Sequence, residues 1–298
     1  MIALKPNDVI DVIAPASRCE KSALDRMRTF LATWQLQARI PDDLFGDDIF
    51  SAHTTEMRFK HLHDALMNPT SKAIWCLRGG YGSMKLIPLL TRMKAPLESK
   101  IVIGGSDITA LHIFLQNAWG WPSIHGPSLQ SASSNKVSPD SLENLKKMIF
   151  RTQAISLNNI IPLNAISEKK ETISAPIIGG NLSLIQASLG TPWQINANGK
   201  ILFIEEVNER GYRIDRMLEQ LQQANIMEGV AAVLFGDVLG GNESDGRSLG
   251  RVAIRHFAER SIVPVLQLEG VGHGFVNHPL WLGQEVLLGL GEGLRFEV

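Results

Sequence analysis

The chain has 298 residues, with 29 basic and 30 acidic side chains, a formal net charge of −1, 44% hydrophobic residues and 20% charged ones. That balance predicts one large or two ordinary globular domains with a buried core, and the lack of a basic stripe argues against nucleic acid as a partner. Cys19 and Cys76 make no disulfide framework and lack metal-ligand spacing. The first residues show no positively charged stretch leading into an apolar one, and no apolar run reaches the ~18 residues of a membrane span. A cytoplasmic protein with a small-molecule or peptide partner and no membrane partner is therefore expected.

In chain order, "VIDVIAP" (9–15) reads as a strand ended by Pro15. "SALDRMRTFLATW" (22–34) places Leu24, Met27, Phe30 and Leu31 at helical spacing behind a candidate N-cap, Ser22. "TTEMRFKHLHDALMNP" (54–69) is a second amphipathic helix, capped by threonine and stopped at Asn68-Pro69. "AIWCL" (73–77) and "IVIGG" (101–105) are short apolar runs without alternation, as in strands buried on both faces of a parallel sheet. The first half is therefore expected to be a helix-covered parallel sheet, as an N-terminal domain over 1–151. Residues 152–173 are polar and weakly patterned and read as a linker or peripheral hairpin. The strands "KILFIEEVNE", "VAAVLFGDV" and "VPVLQLEGVGHG", with helices between them, predict a smaller C-terminal α/β domain over 174–298.

Four apolar runs end in chemically useful sequence: "AIWCL-RGGYGS", "IVI-GGSD", "ILFI-EEVNE" and "VLQL-EGVGHG". Ligands gather at the carboxyl ends of strands in open parallel sheets, and a hydroxyl, a base, a carboxylate and backbone N–H donors are the parts of nucleophilic acyl transfer. Ser106 stands on a strand-to-helix turn, but Gly104-Gly105-Ser106-Asp107-Ile108 lacks the last glycine of the usual Gly-x-Ser-x-Gly elbow. Ser106 or Asp107 as a plain helix cap is the competing reading. Of eight histidines, His61 and His63 read as lying on the outer part of a helix, and His112 and His256 lie on other helices. His125 and His278 are candidates to line a cleft; His273, between glycines just past a strand, is a candidate general base. Glu205, Glu206 and Glu209 all follow "ILFI", and spacing does not choose among them; a solvated acidic loop is the alternative. His53 and Glu56 form a His-x-x-Glu pair without a placed third zinc ligand. "RGGYGS" fails both nucleotide-loop patterns, with Lys85 where a third glycine belongs.

Taken together, "IAPAS", "KAIWCLRGGYGSMKLI", "IGGSDITALH", "HGP", "IGGNLSLIQASLGTPW", "ILFIEEVNERGYRIDRMLEQL" and "GVGHGF" resemble, in order and over nearly the whole chain, the LD-carboxypeptidase family. These are the serine peptidases typified by muramoyltetrapeptide carboxypeptidase and the microcin-immunity peptidases. The resemblance implies a catalytic Ser106, Glu205 and His273, with an oxyanion hole from the Gly80 and Asp107 backbone N–H groups. It implies an N-terminal parallel-sheet domain resembling class I glutamine amidotransferases, a homodimer, no cofactor and no metal. The implied substrate is a murein peptide that loses a terminal D-alanine during cell-wall recycling. A terminal carboxylate needs a cation, and Arg78, with its planar fork beside the glycine turn, is the candidate. Glu206 stands where the family often has aspartate and Gly105 where it often has an aromatic residue, both near the substrate. A peptidase acting on a peptidyl-nucleotide antibiotic and a non-catalytic muropeptide-binding protein are the alternatives.

Overall fold

The computed structural model describes residues 3–297. Its first sheet is built from β1 (Val9–Ile13), β2 (Gln37–Arg39), β3 (Ser71–Cys76), β4 (Ile101–Gly104) and β5 (Ser123–His125). These five run parallel in the order β5-β4-β3-β1-β2, as the unalternating apolar runs predict. Helices Ala23–Thr33, Thr55–Met67 and Thr109–Trp119 make the crossovers. Thr54 caps the second of these, its hydroxyl accepting from Met57 N. Ser22 does not cap the first: its own backbone is already helical and its side chain makes no capping bond.

The second sheet contains β6 (Ile155–Leu157), β7 (Ile160–Pro162), β8 (Thr172–Asn181), β9 (Ile201–Val207), β10 (Ala232–Leu239), β11 (Val265–Leu268), β13 (Glu285–Gly289) and β14 (Gly293–Phe296). Its order is β6-β14-β13-β8-β9-β10-β11-β7, with β8 to β11 parallel and the flanking strands antiparallel. Residues 152–173, expected to be a linker or hairpin, thus supply two strands that sit at opposite edges of this sheet and do not pair with each other. Each is three residues long, too short to carry a readable period.

Two connections tie the sheets together near one end. The strand β12 (Leu280–Leu282), far along the chain, returns to pair antiparallel with β5 of the first sheet. Helix Thr109–Trp119 docks on β8, where Asn181 N donates to Thr109 Oγ1 at 3.0 Å. The apolar side chains of both sheets run together, so that Ile103, Ile124 and Trp281 share one buried cluster with Ile177 and Phe203. The segments that follow β3, β4 and β11 are brought to a common cleft by this arrangement, with β9 behind the one after β11. Among the described residues no helix is long and apolar enough to cross a membrane.

Candidate active site

Ser106 follows β4 and an extended Gly105, and takes φ of +58° before a short 3-10 turn leads into helix Thr109–Trp119. The left-handed region costs a residue with a side chain about 1–2 kcal/mol, so the surroundings must hold it there. They are shaped for it: a Cβ on Gly79 would fall 2.7 Å from that of Ser106. Neither Ser106 nor Asp107 makes a side-chain cap on the helix that follows. Asp107 is buried, and its carboxylate instead accepts from Ser83 N at 2.7 Å while its carbonyl accepts from Ser83 Oγ. The expected helix cap is therefore a brace between two turns.

The second turn, Arg78–Gly82, carries Gly80 at φ +108°, where a Cβ would collide with Ser17 Oγ at 2.3 Å. Ser17 N donates to Gly79 O and Ser17 Oγ accepts from Tyr81 N at 3.1 Å. From the other side the buried Arg58 donates through Nη1 to Gly82 O at 2.8 Å and to Pro15 O, and through Nε to His53 O at 2.9 Å. Among the described residues, the Gly80 and Asp107 N–H groups have no hydrogen-bond partner. Free amides of this kind are what an oxyanion requires.

Glu205 and Glu206 lie within β9 rather than in an exposed loop, and both are buried. Successive strand residues face opposite ways, and the two glutamates have different partners. Glu205 Oε2 lies 2.6 Å from His273 Nδ1. Glu206 accepts from Asn181 Nδ2 at 2.8 Å, Ser183 N at 2.9 Å and Ser183 Oγ at 2.7 Å. Glu209 pairs with Arg213 at 2.8 Å. Burial pulls the His273 pKa down, but the hydrogen bond and charge of Glu205, with Glu206 behind it, outweigh this and hold it above the usual histidine value. Burial likewise raises Glu205, and His273 moderates the rise. The His273 loop is fixed at both ends, by β11 in one sheet and β12 in the other.

Ser106, His273, Arg78 and Gly80 line one cavity of about 660 Å³. Among the described residues, no hydrogen bond joins Ser106 to His273; catalytic bonds of this type often tighten only when substrate is present. The other histidines stand apart. His125 is buried behind Gly105 with its ring 5.0 Å from that of Phe203, and burial holds its pKa well below normal. His278 is occupied by Ser141 and Asn144. His112 bonds Gly104 O at 2.9 Å, and burial lowers its pKa to about 4. His61, expected on an outer helix face, is buried and bonds Asp43 at 2.9 Å, because the 40–44 loop folds over it. His53 accepts from Thr54 N at 2.7 Å, and among the described residues no three His, Cys, Asp or Glu side chains are grouped as a metal ion needs.

Two parts of the site were not read from the sequence. Arg58 is one, although its place on the apolar face of its helix, four residues before Leu62, was a usable signal. The other is the wall made by residues 128–137, which includes Gln130 and Lys136 and carries no recognisable motif.

Models of the LD-carboxypeptidase N-terminal and C-terminal domains match residues 10–126 and 174–288. The chain belongs to the LD-carboxypeptidase family. It is 36% identical over 277 residues to a putative carboxypeptidase from Rickettsia conorii, covering 92% of this chain and 85% of the relative. A crystal structure of muramoyltetrapeptide carboxypeptidase from Oxalobacter formigenes is similar at TM-score 0.80 and 25% identity, over 97% of this chain and 99% of that one. An MccF-like protein from Bacillus anthracis has the same fold at TM-score 0.85 and 20% identity, over 100% of this chain and 98% of that one.

Proposed function

We propose that this family member is a serine-type LD-carboxypeptidase that releases the terminal D-alanine of a murein tetrapeptide. The observation that carries the proposal is the 2.6 Å Glu205–His273 pair opening on the same cavity as Ser106, itself held at φ +58°. In this reading His273 Nε2 takes the proton from Ser106 Oγ, while Glu205 holds the ring by its Nδ1 and balances the imidazolium that forms. Ser106 attacks the carbonyl that precedes the D-residue, and the negative oxygen is received by the Gly80 and Asp107 N–H groups. His273 then protonates the leaving amine, and water hydrolyses the acyl-enzyme by the same base. Arg78, beside the glycine turn, takes the terminal carboxylate that distinguishes a carboxypeptidase substrate.

The name of the Oxalobacter relative, a muramoyltetrapeptide carboxypeptidase, supports the substrate class. Cytoplasmic recycling of murein by a homodimer is the setting that the family resemblance suggests. The test is mass spectrometry of murein tetrapeptide and of a peptidyl-adenylate mimic, each incubated with the protein. Loss of D-alanine from the tetrapeptide is expected. Cleavage of the mimic alone assigns the chain to the immunity type, and binding of murein fragments without cleavage makes it a binding protein.

A further inference from the structure

Strand β10 breaks its register on β9 beside the Glu205–His273 pair. Phe235 stands opposite Ile204 and Val238 opposite Glu206, so two residues, Gly236 and Asp237, face the single Glu205. This is a β-bulge, which bends a strand, interrupts its ladder and re-aims a side chain. Three of its polar groups are taken up by β11 and the chain just after it. Gly236 O accepts from Gln267 Nε2 at 2.6 Å, Asp237 N donates to Val271 O at 2.7 Å, and Asp237 Oδ1 accepts from Gly270 N at 3.1 Å. The approach is close: a Cβ on Gly236 would fall 2.5 Å from Val271 O. Asp237 also packs against both neighbours of His273. A Cβ on Gly272 would lie 3.3 Å from Asp237 Cβ, and one on Gly274 would lie 3.5 Å from Asp237 Oδ2.

We propose that Asp237 is a positioning residue: from the bulge opposite Glu205 it fixes the chain that carries His273, and so places this base against both Glu205 and Ser106. The proposal rests on the carboxypeptidase reading above, in which His273 is the base. The loop from β11 to β12 has glycine at 270, 272 and 274, and glycine backbone has little stiffness of its own. Its far half is tied to helix Pro139–Phe150 and the residue before it: Phe275 O accepts from Ser138 N at 2.7 Å, and Asn277 N donates to Ser141 Oγ at 2.9 Å. Among the described residues, the bonds that reach residues 270–272 from outside the loop both come from Asp237. A rigid strand holds a reacting group more precisely than a loop does, and the bulge lends the loop that rigidity. Asp237 is not among the residues that line the cleft, so its effect on substrate passes through His273.

The experiment compares wild type, Asp237→Ala and Asp237→Asn by D-alanine release from murein tetrapeptide and by NMR titration of the His273 ring. Asn keeps a carbonyl oxygen for Gly270 N, whereas Ala keeps none. Asp237→Ala is expected to lower kcat by roughly 10²-fold, the cost of displacing a reacting group by about 1 Å, with little change in KM. Asp237→Asn is expected to recover most of that loss. The titratable groups whose charge bears on His273 are Glu205 and Glu206 on β9 and the buried His125 on β5. The His273 midpoint is therefore expected to fall in Asp237→Ala, where the bond to Glu205 loosens, and to stay in place in Asp237→Asn. A folded Asp237→Ala with wild-type kcat and an unmoved midpoint overturns the proposal. An equal loss in Asp237→Asn also overturns it, because charge and not the bond to Gly270 would then be responsible. Should Asp237→Ala not fold, Gln267→Leu removes the neighbouring tie to Gly236 O; a smaller fall in kcat and midpoint is expected, and no change in either overturns the proposal. If the wild type releases no D-alanine, the carboxypeptidase reading fails, while the NMR midpoints still decide whether Asp237 places His273.

Discussion

Replacing Arg58 with Met removes a buried guanidinium that donates to three backbone carbonyls, those of Pro15, His53 and Gly82. Met fills much of the same space along the helix but donates nothing, so three buried acceptors lose their partner. An unsatisfied buried carbonyl costs about 1–3 kcal/mol, and the lower end applies because the burial cost of the cation is recovered when it leaves, giving about 3 kcal/mol in total. That burial cost is visible in the lowered Arg58 pKa. Since a domain is stable by about 5–15 kcal/mol, the variant is expected to fold and to unfold at lower urea. Gly82 O anchors the turn that carries the Gly80 N–H, so kcat on the folded protein should also fall, by roughly 10²-fold if the amide moves by about 1 Å. Arg58→Lys, whose ammonium can still reach some of the carbonyls, should recover part of both losses. Urea unfolding followed by intrinsic fluorescence, together with D-alanine release at saturating tetrapeptide, measures the two effects. A stability change under about 0.5 kcal/mol would refute the bonding argument. A full stability loss with unchanged kcat would show that the brace has no bearing on the turn.

The pH dependence tests the Glu205–His273 pair. His273 acts as a base only when neutral and its pKa is raised, so kcat/KM is expected to climb with pH through a midpoint above the usual histidine value of ~6.5. Glu205→Gln removes the raising influence and leaves the burial, so the midpoint should move to lower pH while activity falls by roughly 10²–10⁴-fold; an unmoved midpoint contradicts the pairing. Gly80→Ala combines φ +108° with a Cβ 2.3 Å from Ser17 Oγ, and displacement of the amide should lower kcat by about 10²-fold or more, measured by steady-state D-alanine release. Arg78→Met should raise KM for the tetrapeptide more than it lowers kcat, and unchanged kinetics would remove Arg78 from carboxylate binding.

The parallel first sheet was legible because β3 and β4 are continuous apolar runs with crossover helices between them. Only two of the four strand ends, those of β3 and β4, belong to that sheet; β9 and β11 belong to the second and are brought to them by the contacts between the sheets. The conformation of Ser106 was not legible: the last glycine of the elbow is absent, and the room for a left-handed serine comes from Gly79, distant in sequence. The glutamates were ambiguous because all three follow one apolar run; only the register of β9 on β8, which sets Asn181 beside Glu205, sends the neighbours to different partners. The edge strands β6 and β7 are too short to carry a readable period, and β12 is set by a partner, β5, that lies more than 150 residues earlier in the chain. His61 was misplaced because the loop that covers it belongs to no periodic element.

Ser106 bears the central claim, and the most direct measurement is D-alanine released from murein tetrapeptide by the wild type and by Ser106→Ala, with intact-protein mass spectrometry of each reaction. The wild type is expected to release D-alanine and to carry a transient peptidyl adduct. Ser106→Ala should form no adduct and lose activity by roughly 10³-fold or more. Release of D-alanine by Ser106→Ala at the wild-type rate would contradict the assignment of the nucleophile.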